Sequence, residues 1–150
     1  MRRFIHTNKG FTLVELMVVV AVTALAATVT APSVVGMIQR QRLQGVSNQL
    51  LWDLRSAREK AITSHRPVTV AVPNNHSYTI WTDTNSNGVA EAGEAKTTDI
   101  AAQHLTLASD KSPVFSPSGM ITNSAVMTLT DASGKAATII MTMAGSIVLQ

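Results

Sequence analysis

The sequence predicts an α+β protein in which one long N-terminal helix packs on a C-terminal antiparallel β-sheet or small sandwich. An apolar run occupies residues 11–31, and a helical pattern of apolar residues continues to about residue 64. Short runs with strand-like alternation follow Pro67, separated by turn residues. One long helix followed by several strands is typical of an α+β domain, and 150 residues suffice for one modest core.

The composition excludes several classes of protein. Hydrophobic residues make up 45% of the chain and charged residues 14%, so the chain as a whole is not disordered. The absence of cysteine excludes disulfide scaffolds and cysteine-ligated metal sites. The net charge is +3, but residues 1–10 hold three of the 12 basic residues and none of the 9 acidic ones. The remainder is balanced, so the overall charge does not by itself indicate a nucleic-acid-binding protein.

Residues 11–31 are predicted to form a membrane helix. At about 1.5 Å per residue, this run spans roughly 31 Å, close to a hydrocarbon core of about 30 Å. The basic residues Arg2, Arg3 and Lys9 precede it and predict a cytoplasmic N-terminus with the globular domain outside the cytoplasm. The competing prediction is a secretory signal peptide cut at Ala24-Leu25-Ala26, but the run is long for such a peptide.

Glu15 is an unexpected residue in this apolar run. A carboxylate inside a membrane helix costs on the order of 3 kcal/mol, so Glu15 needs a charged partner or contact with the lipid headgroups. Headgroup contact is the simpler explanation, because Glu15 lies only about one helical turn from Phe11, where the apolar run begins. The surrounding residues, Lys9 to Leu16, read KGFTLVEL. This motif resembles the class III signal of type IV pilins and pseudopilins, in which a basic leader, a glycine and a glutamate occur at a fixed spacing.

The resemblance implies a processing site and an assembly residue. A prepilin peptidase would cleave between Gly10 and Phe11, removing residues 1–10 as a leader, and Phe11 would then be N-methylated. The resemblance also implies that Glu15 pairs with the N-terminal amine of a neighbouring subunit, and a buried charge is tolerated when it is paired. The apolar helix would remain as both membrane anchor and assembly element.

The second half of the predicted helix, residues 32–66, is amphipathic. Pro32 and Gly36 at its start indicate either a kink or meltable segment, or a break between two helices. The helix is expected to end before Pro67. Its apolar residues are spaced by three or four positions and should face the sheet: Leu43, Val46, Leu50, Leu54, Ala57 and Ala61.

The antiparallel β domain is predicted over residues 67–150. Val68, Val70 and Val72 alternate with smaller or polar residues, and Pro73-Asn74-Asn75 predicts a turn into a hairpin partner. The expected runs are 68–72, 78–81, 104–107, 114–115, 125–130, 136–143 and 146–149.

Three further segments resemble the GspH/FimT branch of minor pilins and pseudopilins: Leu54–Ile62, the loop after the second strand, and the turn from Phe115 to Gly119. The resemblance implies the pilin fold and a non-enzymatic subunit that primes assembly of, or caps, a type IV pilus or type II secretion pseudopilus. Its expected partners are other major and minor pilins or pseudopilins, prepilin peptidase, the inner-membrane assembly platform and membrane lipid.

A DNA-uptake role is the alternative function. The candidate DNA contacts are basic residues on the helix: Arg40, Arg42, Arg55 and Arg58. DNA-uptake relatives bear basic residues near the C-terminus, whereas residues 144–150 carry no charged side chain here. A gel-shift of residues 38–150 across a salt series distinguishes the two roles, because DNA binding weakens steeply as salt rises.

Calcium is the only candidate cofactor, and the sequence offers one loop for it. Residues 83–94 match the spacing of a calcium-binding loop, with Gly88 at the sharp turn. The alternative is a polar hairpin loop whose Asp and Asn side chains cap their own backbone, since a strand and not a helix precedes it. The candidate ligands are Asp83, Asn85, Asn87, Val89 through its carbonyl, Glu91 and a bidentate Glu94.

If the loop holds calcium, titration of the globular domain with calcium should give binding heat and raise its melting temperature, because a ligand that binds only the folded state stabilises it. Calorimetry and thermal unfolding provide the two measurements. The absence of both effects would exclude the site.

Overall fold

The computed structural model describes residues 10–84, 90–91 and 93–150, without the side chains of residues 29–33. The chain divides into two compact units, Met1–Ile38 and Gln39–Gln150. One helix, α1, is assigned over Leu13–Ser64, close to the predicted range. The helix assignment is continuous at Pro32 and Gly36, so the chain does not form two separate helices there.

In the first unit, the large apolar side chains that the structure describes are exposed, both before α1 and along it. Phe11 is 81% exposed, Leu13 is 73% exposed and Leu25 is 72% exposed. Over the described residues, no helix combines the length and the hydropathy needed to cross a membrane. The membrane span at residues 11–31 therefore stays a prediction from the sequence.

In the second unit, the predicted apolar stripe of α1 faces the core. Leu50, Leu54 and Ala61 are fully buried, and Val46 packs against the same cluster. Ser47 is also buried, although the apolar pattern does not include it. Its hydroxyl donates to the carbonyl of Leu43 at 2.6 Å, which satisfies the buried polar group within the helix itself.

The strands of the second unit form two antiparallel four-stranded sheets, ordered β3-β2-β1-β5 and β4-β6-β7-β8. A single 3₁₀ turn at Ala101–Gln103 lies between β3 and β4. The α+β prediction is confirmed. The sequence left open a single sheet or a small sandwich, and the described strands form two sheets. The strands are β1 Val68–Asn74, β2 Ser77–Thr82, β3 Ala95–Asp99, β4 Leu105–Ser109, β5 Val114–Phe115, β6 Ala125–Asp131, β7 Ala136–Met141 and β8 Ile147–Leu149.

Strand β3 was not predicted from the sequence. Apart from Ala95, the residues of Ala95–Asp99 are polar, and most of the strand is exposed, so it lacks the apolar alternation that marks a strand. The segment is extended because it pairs with β2, with Tyr78 opposite Thr98 and Ile80 opposite Lys96. Tertiary pairing therefore outweighs local propensity at this edge of the sheet.

Two glycine turns meet beside α1 at Arg58. Gly119 and Gly145 both have positive φ, at 78° and 82°. The Nε of Arg58 donates to the carbonyl of Gly119 at 2.8 Å. A Cβ at position 145 would collide with the Gly119 carbonyl oxygen, and a Cβ at position 119 would lie 2.9 Å from Ile62 Cδ1. At position 145 both the backbone conformation and the close approach of a backbone oxygen require glycine, whereas at position 119 the neighbour is the flexible end of a side chain and the positive φ is the main constraint.

Gly145→Ala is expected to lower the free energy of unfolding by about 3 kcal/mol, because a left-handed alanine is strained and its methyl group also displaces a packed carbonyl. Gly134→Ala is the matched control. Gly134 has φ of 83°, but within the described part of the chain nothing lies within 4 Å of its added Cβ. The control should cost only about 1 kcal/mol. Thermal unfolding of the two full-length variants in detergent measures the difference, and equal losses would contradict the packing argument.

Candidate functional site

The predicted cleavage site lies just before α1. Gly10 and Phe11 are exposed and precede the first helical residue, Leu13. Among the residues that the structure describes, nothing lies within 4 Å of a Cβ built on Gly10. The Gly10–Phe11 peptide bond therefore precedes α1 and is outside its hydrogen-bond ladder. The leader residues 1–9 lie outside the described residues.

Thr12 caps the N-terminus of α1, and Glu15 lies in its first turn. The Thr12 Oγ1 accepts a hydrogen bond from the Glu15 backbone N–H at 3.2 Å. The pair has the T-x-x-E spacing of a capping box, and an acidic side chain in the first turn interacts favourably with the helix dipole. Glu15 thus has a local structural role at the start of α1 in addition to the assembly role expected of it. The T-x-x-E spacing of residues 12–15 is the sequence pattern that indicates this role.

The candidate calcium loop is described only in part. At its base, the Thr82 N–H donates to the Glu94 carbonyl at 3.3 Å, and the Thr84 N–H donates to Glu94 Oε1 at 3.2 Å. One oxygen of the proposed bidentate ligand is therefore held by the backbone. Among the described residues, no group of three or more His, Cys, Asp or Glu side chains is placed to hold a metal ion. Asn85, Asn87 and Val89 lie outside the described residues, so calcium binding stays a prediction.

The four candidate DNA-contacting arginines are in different surroundings. Arg40 and Arg42 are exposed on α1. The guanidinium of Arg55 lies 6.0 Å from the centre of the Trp52 ring, within cation–π range. Arg58 is partly buried and bonded to Gly119, so its role is structural in the first instance.

A polar cluster joins α1 to the β3-β2-β1-β5 sheet. Asp53 Oδ2 accepts a hydrogen bond from the Tyr78 hydroxyl at 2.6 Å, and Asp53 Oδ1 accepts one from Lys96 Nζ at 3.1 Å. The cluster therefore links the helix to β2 and β3. The sequence did not predict it, because its members are 25 and 43 residues apart.

The cluster shifts two pKa values in opposite directions. Burial raises the pKa of Asp53, but hydrogen bonds from Tyr78, Gln49 and Lys96 outweigh it and hold that pKa below its ordinary value. Burial, together with the hydrogen bond to Asp53, raises the pKa of Tyr78 well above its ordinary value. The tyrosine is therefore a hydrogen-bond donor and the aspartate an anionic acceptor at neutral pH.

Comparison with known proteins identifies two regions of the chain. Residues 46–145 match the family of type II transport protein GspH, and residues 5–31 match the prokaryotic N-terminal methylation motif. No protein of curated function matches the chain closely in sequence.

Solved structures share the fold. The type IV minor pilin FimU of Pseudomonas aeruginosa is similar with a TM-score of 0.61 at 19% identity, covering 76% of this chain and 92% of FimU. The minor pseudopilin EpsH from the type 2 secretion system of Vibrio cholerae is similar with a TM-score of 0.60 at 13% identity. That match covers 73% of this chain and 96% of EpsH. At such identities the likeness shows the fold alone.

The fold and the N-terminal motif together define a pilin-like filament subunit. The chain belongs to the GspH family, the minor pilins and pseudopilins of type IV pili or type II secretion systems. This confirms the predicted class, which is structural and not enzymatic. The methylation motif implies anchoring in the inner membrane and incorporation into a pilus, and the family implies partners in pilus assembly.

Asp53→Asn is expected to destabilise the chain by about 1–2 kcal/mol at neutral pH, because it removes charge-assisted hydrogen bonds. The folded pKa lies below the unfolded value of about 3.9, so the contribution is complete above that pH and is lost as pH falls through the folded pKa. The difference in melting temperature between wild type and Asp53→Asn should therefore be largest near neutral pH and shrink in acid.

Lys96→Ala is the control for this prediction. It removes only an ion pair whose lysine side chain is 68% exposed, so its effect should be the smaller of the two. A melting-temperature difference for Asp53→Asn that stays constant from neutral pH into acid would contradict the assigned pKa direction.

Proposed function

We propose that this protein is a structural subunit that primes the assembly of, or caps, a type IV pilus or type II secretion pseudopilus. The observation that carries the proposal is the co-occurrence, in one chain, of the N-terminal methylation motif at residues 5–31 and the GspH family match at residues 46–145. A subunit with both a retained apolar helix and a folded domain is suited to a filament in which helices pack together.

Processing is proposed to occur between Gly10 and Phe11, on the cytoplasmic side of the membrane, followed by N-methylation of Phe11. The exposure of both residues before the first turn of α1 supports access by the peptidase. The basic leader residues Arg2, Arg3 and Lys9 support this orientation, with the globular domain in the periplasm.

Residues 11–31 are proposed to anchor the subunit in the inner membrane and then to pack among the helices of neighbouring subunits. The exposed apolar side chains of the first unit support this, because no other described part of that unit buries them and a membrane or neighbouring helices would. The proposed partners are other major and minor pilins or pseudopilins, prepilin peptidase, the assembly platform and membrane lipid.

Glu15 is proposed to pair with the amine of Phe11 on an adjoining subunit. Cleavage creates that positive charge four residues before Glu15, so each processed subunit carries one amine and one carboxylate near the same helix end. An ion pair between subunits would offset the cost of placing either charge among apolar helices.

Gly10→Ala is expected to leave the leader uncut, because the proposed peptidase site requires glycine at that position. Within the described residues a methyl group at Gly10 meets no other atom within 4 Å, so folding should be unaffected. Intact-mass spectrometry of the membrane-extracted chain measures the outcome. A wild-type chain that starts at Met1, or beyond Ala26, would refute the processing site.

Glu15→Val is expected to insert into the membrane but fail to enter filaments, because the proposed partner amine loses its counter-charge. Glu15→Gln is the matched variant, since it removes the charge but keeps a polar side chain of similar size, and it should also fail to enter filaments. Both variants keep the backbone N–H of residue 15 that bonds to Thr12. The measurement is the amount of subunit in sheared filaments relative to membranes. Normal incorporation of both variants would contradict the pairing.

A further inference from the structure

Three of the four sheet edges in the second unit are covered or protected. The outward N–H of Leu107 in β4 donates to the carbonyl of Asn75 at 2.7 Å. Beside β5, the Thr122 N–H donates to the carbonyl of Val114 at 3.0 Å. Strand β3 is open, but most of its side chains are polar and exposed, and they include Lys96, a residue type that discourages edge pairing.

The fourth edge, β8, is apolar and has free backbone groups. Val148 pairs with Ile140, and the Gln150 N–H donates to the carbonyl of Thr138 at 2.8 Å. Because hydrogen bonding alternates along an antiparallel strand, the N–H and C=O groups of Ile147 and Leu149 point away from β7. Within the described residues no hydrogen bond to these outward groups is recorded.

Two cavities lie between α1 and this side of the sheet, one beside the start of β8 and one beside the end of β8 and the start of β7. One has a volume of about 660 Å³ and the other about 290 Å³. Their helical lining residues include Gln44, Asn48, Arg55, Glu59 and Ile62, which recur at helical spacing and so form one stripe along α1. We call the space between this stripe and β8 the β8 groove. On the strand side it is lined by Gly145, Ser146 and Ile147 at one end, and by Leu149, Gln150 and the β7 residues Ala136 and Ala137 at the other.

The side chains of the β8 groove indicate the chemistry of its occupant. Arg55 and Arg58 line the larger cavity opposite one carboxylate, Glu59, so the wall carries an excess of positive charge. Trp52 falls on the same helical stripe and is 67% exposed, and the centre of its ring lies 6.0 Å from the Arg55 guanidinium. Exposed tryptophan and arginine are the residue types that most often anchor a protein partner.

We propose that the β8 groove binds an extended segment of a neighbouring filament subunit, which adds a strand to the β4-β6-β7-β8 sheet and presents an acidic side chain to Arg55. The free backbone groups of Ile147 and Leu149 select an extended peptide, since only a strand matches their spacing. The excess positive charge selects the acidic side chain. This inference rests on the proposed function, because the partner is a subunit of the same filament.

The first test compares Leu149→Pro with Leu149→Ala in the full chain. Both variants truncate the same side chain, but only proline removes the outward N–H, and the ladder bonds to β7 do not use that group. Leu149→Pro is expected to enter filaments at least fivefold less than Leu149→Ala at similar melting temperature. Equal incorporation of the two variants would overturn the proposal.

A second measurement applies if Leu149→Pro fails to fold. Hydrogen exchange of the wild-type chain is followed in detergent and in purified filaments. The amides of Ile147 and Leu149 should exchange at least tenfold more slowly in filaments, while that of Val148 is already protected by β7 in both samples. Unchanged exchange of Ile147 and Leu149 would overturn the proposal.

The electrostatic part of the proposal is tested with Arg55→Glu. Its incorporation into filaments should fall severalfold, whereas Lys111→Glu, which makes the same change at an exposed position outside the groove, should behave as wild type. Equal effects of the two reversals would refute the acidic contact. Failure of the wild-type chain itself to enter filaments would refute the proposed function as well, so the two failures are distinguishable.

Discussion

The burial of one apolar stripe of α1 is the constraint on which the rest of the second unit depends. Leu50, Leu54 and Ala61 have no exposed surface, and β-strand residues such as Val70 and Leu107 belong to the same core. With aromatic residues at 4% of the chain, the buried core of the described residues is mainly aliphatic, with Tyr78 and Phe115 as its aromatic members. The small side chains of Ala57 and Ala61 leave room for close packing at the end of the stripe.

Hydrogen bonds between α1 and the strands and turns add positional specificity to this apolar packing. Asp53 holds Tyr78 and Lys96, and Arg58 holds the Gly119 carbonyl where the Gly145 turn approaches it. Hydrophobic burial tolerates small shifts of a helix along a sheet, but hydrogen bonds require particular distances and angles. These contacts therefore fix the position of α1 relative to β2, β3 and the Gly119 turn.

The apolar stripe of α1 is buried in the second unit, and the described apolar side chains of the helix are exposed in the first. In the second unit α1 buries its apolar stripe within the same chain, whereas Phe11, Leu13 and Leu25 of the first unit remain exposed. Exposed apolar surface of this extent is characteristic of a surface that a membrane or a partner covers. Membership in the GspH family gives that surface its context, because a filament subunit must meet both environments in turn.

The sequence by itself determined the α+β class, the buried stripe from Leu43 to Ala61 and the motif from Gly10 to Glu15, because these depend on helical periodicity and on residues close together in the chain. Only the tertiary structure decided that Ala95–Asp99 is a strand, that Arg58 binds Gly119 and that β8 keeps a free edge beside α1. These features depend on contacts between residues far apart in sequence, which a local pattern does not encode.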